Sequence, residues 1–171
     1  MTRISRRPLL LLAGAVAPVF GLAACASAPP TAPPVPHVAI PAAARMVTFS
    51  LNYGWNADGR KPPAPVTFSS PAKVRAAARL VAGQPPVPPG QYSCPAGDGA
   101  ALKLVFRADP GGPALATAVV GLSGCETTDL TVSGKDHGLG KYASGRSMAA
   151  RVLQSADVAW KLPPMQWPAA S

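Results

Sequence analysis

The stretch from Cys94 to Cys125, CPAGDGAALKLVFRADPGGPALATAVVGLSGC, decides how the rest of the chain is read. Leu102, Leu104 and Phe106 alternate with Lys103 and Arg107, the period of two that a half-buried strand requires. A second apolar run follows after Asp109-Pro110-Gly111-Gly112. In that tetrapeptide proline presets φ and glycine tolerates positive φ, so the chain can reverse there. The stretch therefore reads as a β-hairpin with a cysteine at each end of its base.

Upstream of the hairpin, Met46-Val47-Thr48-Phe49-Ser50-Leu51 alternates as a strand with Val47, Phe49 and Leu51 on one face, and Val66-Thr67-Phe68 reads as a second, short one. Ser70 as N-cap, Pro71 in the first turn and Gly83 as the stop bracket a helix. It puts Val74, Ala77, Ala78 and Val81 on one side and Arg75 and Arg79 on another. Gln84 to Gly90, QPPVPPG, is too proline-rich for regular structure and reads as a rigid connector. Downstream, Thr127 to Val132 is expected to be a strand and Ser133 to Gly145 a polar, Gly-rich loop. Ser147 to Val158 is expected to be a second helix with Met148, Val152 and Leu153 inward. Trp160 and Trp167 are expected anchors for a Pro-rich tail over residues 162–171. Two helices and about five short strands without a βαβ rhythm imply an α+β domain, residues 45–161, built on a small antiparallel sheet.

The N-terminus carries an address. Arg3, Arg6 and Arg7 form a positive n-region, and Leu9 to Val19 an apolar run too short and interrupted to span a bilayer comfortably. Leu22-Ala23-Ala24-Cys25 then resembles a bacterial lipobox, which implies cleavage after residue 24 and a diacylglycerol on the Cys25 thiol; the alternative is an ordinary signal peptide with a chance cysteine. Two acyl chains, at ~0.8 kcal/mol per buried methylene, anchor far more firmly than one. Ser5-Arg6-Arg7-Pro8-Leu9-Leu10 also resembles the twin-arginine export motif, with leucine where that motif has phenylalanine. Residues 25–44 hold six prolines (29, 30, 33, 34, 36 and 41) and no charge, the composition of an extended spacer, with His37 an isolated histidine inside it.

Cysteine count fits this reading. Three cysteines leave one over, and lipidation of Cys25 removes it, so Cys94 and Cys125 are free to pair in an oxidising compartment; two free buried thiols are the alternative. Neither cysteine has a histidine or second cysteine at ligand spacing, so no metal or other cofactor is expected.

The formal charge of +9 is partly the signal's: 3 of 16 basic residues precede residue 25, leaving 13 against 7 acidic. These are scattered, with Arg60-Lys61 the one adjacent pair, which argues against a nucleic-acid interface. Catalytic patterns are sparse. Asp136-His137 is the nearest acid-base pair, but neighbours in a loop point apart. Ser70-Pro71-Ala72-Lys73 satisfies S-x-x-K, yet it lacks its partner motifs and sits where a helix cap belongs. Gly121 to Cys125 misses the nucleophile elbow because Cys125 displaces its last glycine. The residues expected to meet a ligand or partner are Tyr53 and Trp55, as a stacking pair, and Ala96 and Gly97 after Cys94.

Signal, tether and stapled domain together resemble the small secreted lipoproteins of high-GC actinobacteria, with their recurring S-C-P, hairpin, then G-C: here Ser93-Cys94-Pro95 and Gly124-Cys125. That resemblance implies a cell-membrane, outward-facing location but no assigned activity. A narrower similarity is to subtilisin-inhibitor-like proteins, carried by Cys94-Pro95, the strand Leu102 to Phe106 and Cys125. It implies that Ala96 and Gly97 flank a protease-binding bond. The chain departs from that pattern in lacking a second disulfide and in placing Gly97 and Gly99 in a loop that inhibition needs rigid. The expectation is a non-enzymatic, monomeric binding or accessory module, held at the membrane through Cys25, with another envelope protein as its further partner. A serine-protease inhibitor is the alternative.

Overall fold

The computed structural model describes residues 38–55, 59–141 and 143–163. Cys25, His37 and Trp167 lie outside them. Six strands form one antiparallel sheet: β1 (Met46–Asn52), β2 (Val66–Phe68), β3 (Ala101–Arg107), β4 (Ala114–Gly121), β5 (Thr128–Val132) and β6 (Lys135–Leu139), in the order β2-β1-β3-β4-β5-β6. Helices α1 (Pro71–Ala82) and α2 (Gly145–Ser155) pack against each other, α1 over β1 and β5 and α2 over β4. The α+β expectation holds, with one strand more than the five read from sequence.

The extra strand is β6, from the segment expected to be a loop. Val132 pairs with Lys135, leaving a two-residue turn whose residues Ser133 and Gly134 have φ of 50° and 78°. Positive φ at both central positions marks the hairpin turn whose twist matches that of its strands. β6 escapes a hydrophobic-alternation reading because it is an edge strand and buries only Leu139 fully. Its outer edge is closed by the proline connector: Val87 N–H donates to the Gly138 carbonyl (3.0 Å) and Gly140 N–H to that of Pro85 (2.7 Å). At the other edge β2 is three residues long, with Pro62, Pro63 and Pro65 just before it.

One face of the sheet makes the core. Val47, Phe49 and Leu51 from β1, Leu102, Leu104 and Phe106 from β3, and Ala116, Ala118 and Val120 from β4 are all buried beneath the helices. Alanines on β4 leave room for α2, which contributes Met148, Ala149, Val152 and Leu153. Val38, Ile40 and Ala44, ahead of the expected domain start at Arg45, pack against this core, as do Trp160 and Leu162. The opposite face follows from the same register. One row across it reads Thr67, Thr48, Val105, Thr117, Thr131 and Asp136, one residue from each strand.

α1 starts after Ser70 and stops at Gly83 as expected, whereas α2 differs at both ends. Ser70 occupies the α1 N-cap position in extended conformation, but its side chain makes no capping bond. α2 begins and ends earlier than residues 147–158, because Gly145 is needed at its start and Asp157, at φ 57°, stops it. A Cβ on Gly145 would overlap the carbonyl oxygen of Gly121 and lie 2.7 Å from that of Glu126. Helix and β4–β5 connection thus touch backbone to backbone, and overpacking of such a contact costs roughly 1–3 kcal/mol. Gly145→Ala is accordingly expected to lower the urea midpoint by an amount equivalent to about 2 kcal/mol with an unchanged denaturant slope, whereas Gly134→Ala, where a Cβ meets nothing within 4 Å, loses only the positive-φ preference of about 1 kcal/mol.

Candidate functional site

The loops at one end of the sheet converge on the disulfide. Cys94 and Cys125 are bonded, with their Cα atoms 5.0 Å apart. That spacing lies inside the range a disulfide tolerates. The bond joins the approach to β3 with the β4–β5 connection. Around it, Gly97 and Gly124 press together: a Cβ on Gly124, which has φ 69°, would lie 3.3 Å from the Gly97 Cα.

The segment after Cys94 is fastened by hydrogen bonds over Asp98, Gly99 and Ala100. Asp98 N–H donates to Ser123 Oγ (3.2 Å), and the Asp98 carboxylate accepts from the Ala100 N–H (2.9 Å). The Asp98 carbonyl accepts from the Trp55 N–H (3.0 Å), the Gly99 carbonyl from Asn52 Nδ2 (3.2 Å), and the Ala100 carbonyl from the Leu122 N–H (2.8 Å). Of the two glycines that suggest looseness in the sequence, Gly97 lies against the Gly124 backbone, whereas a Cβ on Gly99 would meet only the Trp55 ring. Gly54 makes a tighter approach, with φ 76° and a hypothetical Cβ 2.8 Å from the Asp98 carboxyl carbon and 2.9 Å from the Ala100 nitrogen. It docks the loop after β1 onto the loop before β3.

The four residues expected to meet a ligand are brought to this end, in different settings. Trp55 is 75% exposed, and a Cβ on Gly99 would stand 4.0 Å from its ring. Tyr53 is half-buried at the core margin, its hydroxyl donating to the Lys161 carbonyl (3.4 Å) and its ring lying 5.9 Å from the Arg60 guanidinium. The two aromatics therefore form no stacking pair among the described residues; the turn at Gly54 breaks the alternation that would have put them on one face. Ala96 is exposed and Gly97 half-buried against Ser123 and Gly124. Tyr92, the other exposed large aromatic among the described residues, stands on the same approach, its hydroxyl donating to the Pro88 carbonyl (2.7 Å).

The patterns suggestive of catalysis are drawn apart. Asp136 and His137 lie in β6, where successive side chains take opposite faces; Asp136 accepts from Thr131 Oγ1 at 2.6 Å. The amine of Lys73 is committed to the end of α2, donating to the Ala156 carbonyl (2.7 Å), pairing with Asp157 (3.1 Å) and lying 4.9 Å over the Phe68 ring. No three His, Cys, Asp or Glu converge among the described residues.

One pair went unread in the sequence. Glu126, buried with φ 51°, reaches the first turn of α2, where its carboxylate accepts weakly from the Arg146 N–H (3.4 Å) and faces Arg146 Nε at 3.8 Å. A carboxylate there is favoured by the unpaired N–H groups of a helix start. The Arg146 guanidinium donates to the Pro163 carbonyl, through Nη1 at 2.6 Å and through Nη2 as well, tying the C-terminal segment to the disulfide end. Nothing in the local sequence distinguishes Glu126 from a surface residue; only its position after Cys125 hints at burial.

The disulfide closes a loop of separation 31, for which chain entropy implies ~3.5 to 4 kcal/mol. Replacing both Cys94 and Cys125 with alanine is expected to lower unfolding stability by about that amount, measured by urea denaturation, and a loss under about 1 kcal/mol would show that the hydrogen bonds alone hold this end together. Comparison with known proteins returns no matching family model, no matching curated protein and no matching solved structure.

Proposed function

We propose that the chain is a lipid-anchored, extracytoplasmic binding or accessory module without catalytic activity, and that it engages its partner through the disulfide end. The observation that carries this reading is Trp55, 75% exposed, with its backbone N–H held by the Asp98 carbonyl beside the closely packed Gly54. A large aromatic left in water on a fastened backbone position loses less conformational freedom on binding, and such residues dominate interface energetics. Lys61 and Lys161, both exposed, stand near in sequence or space, so the end favours a surface with some negative charge. The anchor rests on Leu22-Ala23-Ala24-Cys25 and on the uncharged proline tether that follows.

One experiment addresses anchor and surface together. Cys25→Ser is expected to turn a chain that only detergent extracts from the membrane fraction into one that a high-salt wash releases. The released protein is then incubated with washed envelopes from the same cells: it should rebind, and adding Trp55→Ala should weaken that rebinding about tenfold or more. Retention of Cys25→Ser in the membrane removes the anchor; equal rebinding with and without Trp55 removes the proposed surface.

A second reading is supported by the fastening of residues 97–100. Protease inhibitors bind through a loop already in its bound shape, and the hydrogen bonds of Asp98, with the Gly97–Gly124 contact, supply order that Gly97 and Gly99 argue against on composition alone. Ala96 is exposed beside them. Against it, a methyl group offers a specificity pocket little apolar area. Titrating subtilisin with the Cys25→Ser protein is expected to leave proteolysis unchanged; stoichiometric inhibition abolished by Ala96→Pro would reverse the order of the two readings.

A further inference from the structure

The helices and the apolar residues of the segment 158–163 all pack on the core side of the sheet, so its other face has no cover among the described residues. Both sheet edges are closed, β6 by the Pro85–Val87 connector and β2 by its brevity and the prolines before it. Edge-to-edge association is therefore blocked, and the open face is the surface left for self-association.

That face has a charge pattern with a symmetry of its own. The row next to the threonines runs Lys103 on β3, Val119 on β4 and Asp129 on β5, fixed by the pairings Lys103↔Val119 and Val119↔Asp129. Lys103 and Asp129 are exposed, and two strand spacings, about 9.6 Å, keep them from pairing within one chain. Neither forms an ion pair or side-chain hydrogen bond among the described residues. A two-fold axis lying in the interface and parallel to β4 places β3 of each copy over β5 of the other. Lys103 of one chain then meets Asp129 of the second, and the reverse, while Val119 and Thr117 each meet their own equivalents. A self-complementary patch of this kind is what a two-fold interface demands.

We infer that the open face is a homodimer interface in which two copies stack sheet on sheet about an axis along β4, registered by two reciprocal Lys103–Asp129 pairs. Aligned sheets pack about 10 Å apart at roughly −30°, and residues beside the axis stay opposed despite that angle. Six strands at ~4.8 Å, five of them five to eight residues long and β2 only three, give a footprint on the order of 500 Å² per copy. This is the low end for a specific interface, so the dimer is weak in solution and favoured where copies share a membrane.

The test uses full-length chains bearing two different affinity tags, co-expressed, crosslinked with formaldehyde while in the intact membrane, then extracted in mild detergent and recovered through one tag. Wild-type copies are expected to co-purify. Lys103→Asp in both copies, or Asp129→Lys in both, sets like charges against each other at two places and should reduce recovery of the second tag at least about tenfold. One copy carrying Lys103→Asp with one carrying Asp129→Lys restores opposite charges at both places and should restore recovery. A variant that has merely unfolded does not regain pairing with a differently altered copy, and association through detergent or lipid does not follow charge. The inference is overturned if wild-type copies do not co-purify, if either reversal leaves pairing intact, or if the mixed pair stays apart.

Discussion

The burial of Leu102, Leu104 and Phe106 on one side of β3 is the constraint on which the rest depends. β3 pairs with β1 on one side and β4 on the other, so its apolar face sets which face of every neighbouring strand turns inward. A shift of one residue would reverse all of them together. Among the described residues two helices cover that face, together with apolar residues of the segments 38–44 and 158–162, and β4 offers alanines where α2 lies. The same economy leaves the second face bare, carrying threonine, valine and widely spaced charges rather than a second core.

The disulfide end obeys a different rule. There the contacts are between backbones, and glycine is required because nothing larger fits: Gly54 against Asp98 and Ala100, Gly145 against Gly121 and Glu126, and, at positive φ, Gly124 close on Gly97. Composition alone assigns such glycines to flexible connections, and the structure makes them close approaches. The buried Glu126–Arg146 contact belongs to the same construction. Its value lies in satisfying the start of α2 and holding the C-terminal segment, since a buried ion pair adds little net stability by itself.

What was legible in the sequence was whatever a repeat or a turn encodes locally. The alternation in β1 and β3, the Asp109-Pro110-Gly111-Gly112 reversal, where the Gly112 N–H donates to the Asp109 carbonyl (3.1 Å), and the proline-started, glycine-stopped α1 all followed from short-range preferences. β6 was not legible, because an edge strand with one buried residue has no alternation to show. The separate fates of Tyr53 and Trp55 were hidden too, since they turn on the φ of Gly54, which is set by a neighbour distant in sequence. Glu126 and Arg146 were invisible for the same reason: burial of a charge is decided by tertiary contact.

The pairing of β1 with β3 also sets a timetable. β1 is made before its central partner, with β2, α1 and the proline connector intervening: Asn52 must await Ala101, and Met46 must await Arg107. By contrast β3 to β6 form a meander of successive hairpins whose contacts are nearly all local, and the disulfide ties the approach to β3 to the β4–β5 connection. Low sequence separation speeds the meander, and loop closure delays the N-terminal strand. A chain emerging N-terminus first therefore cannot complete its sheet until the second half has appeared, and until then β1 has only the three residues of β2 to pair with.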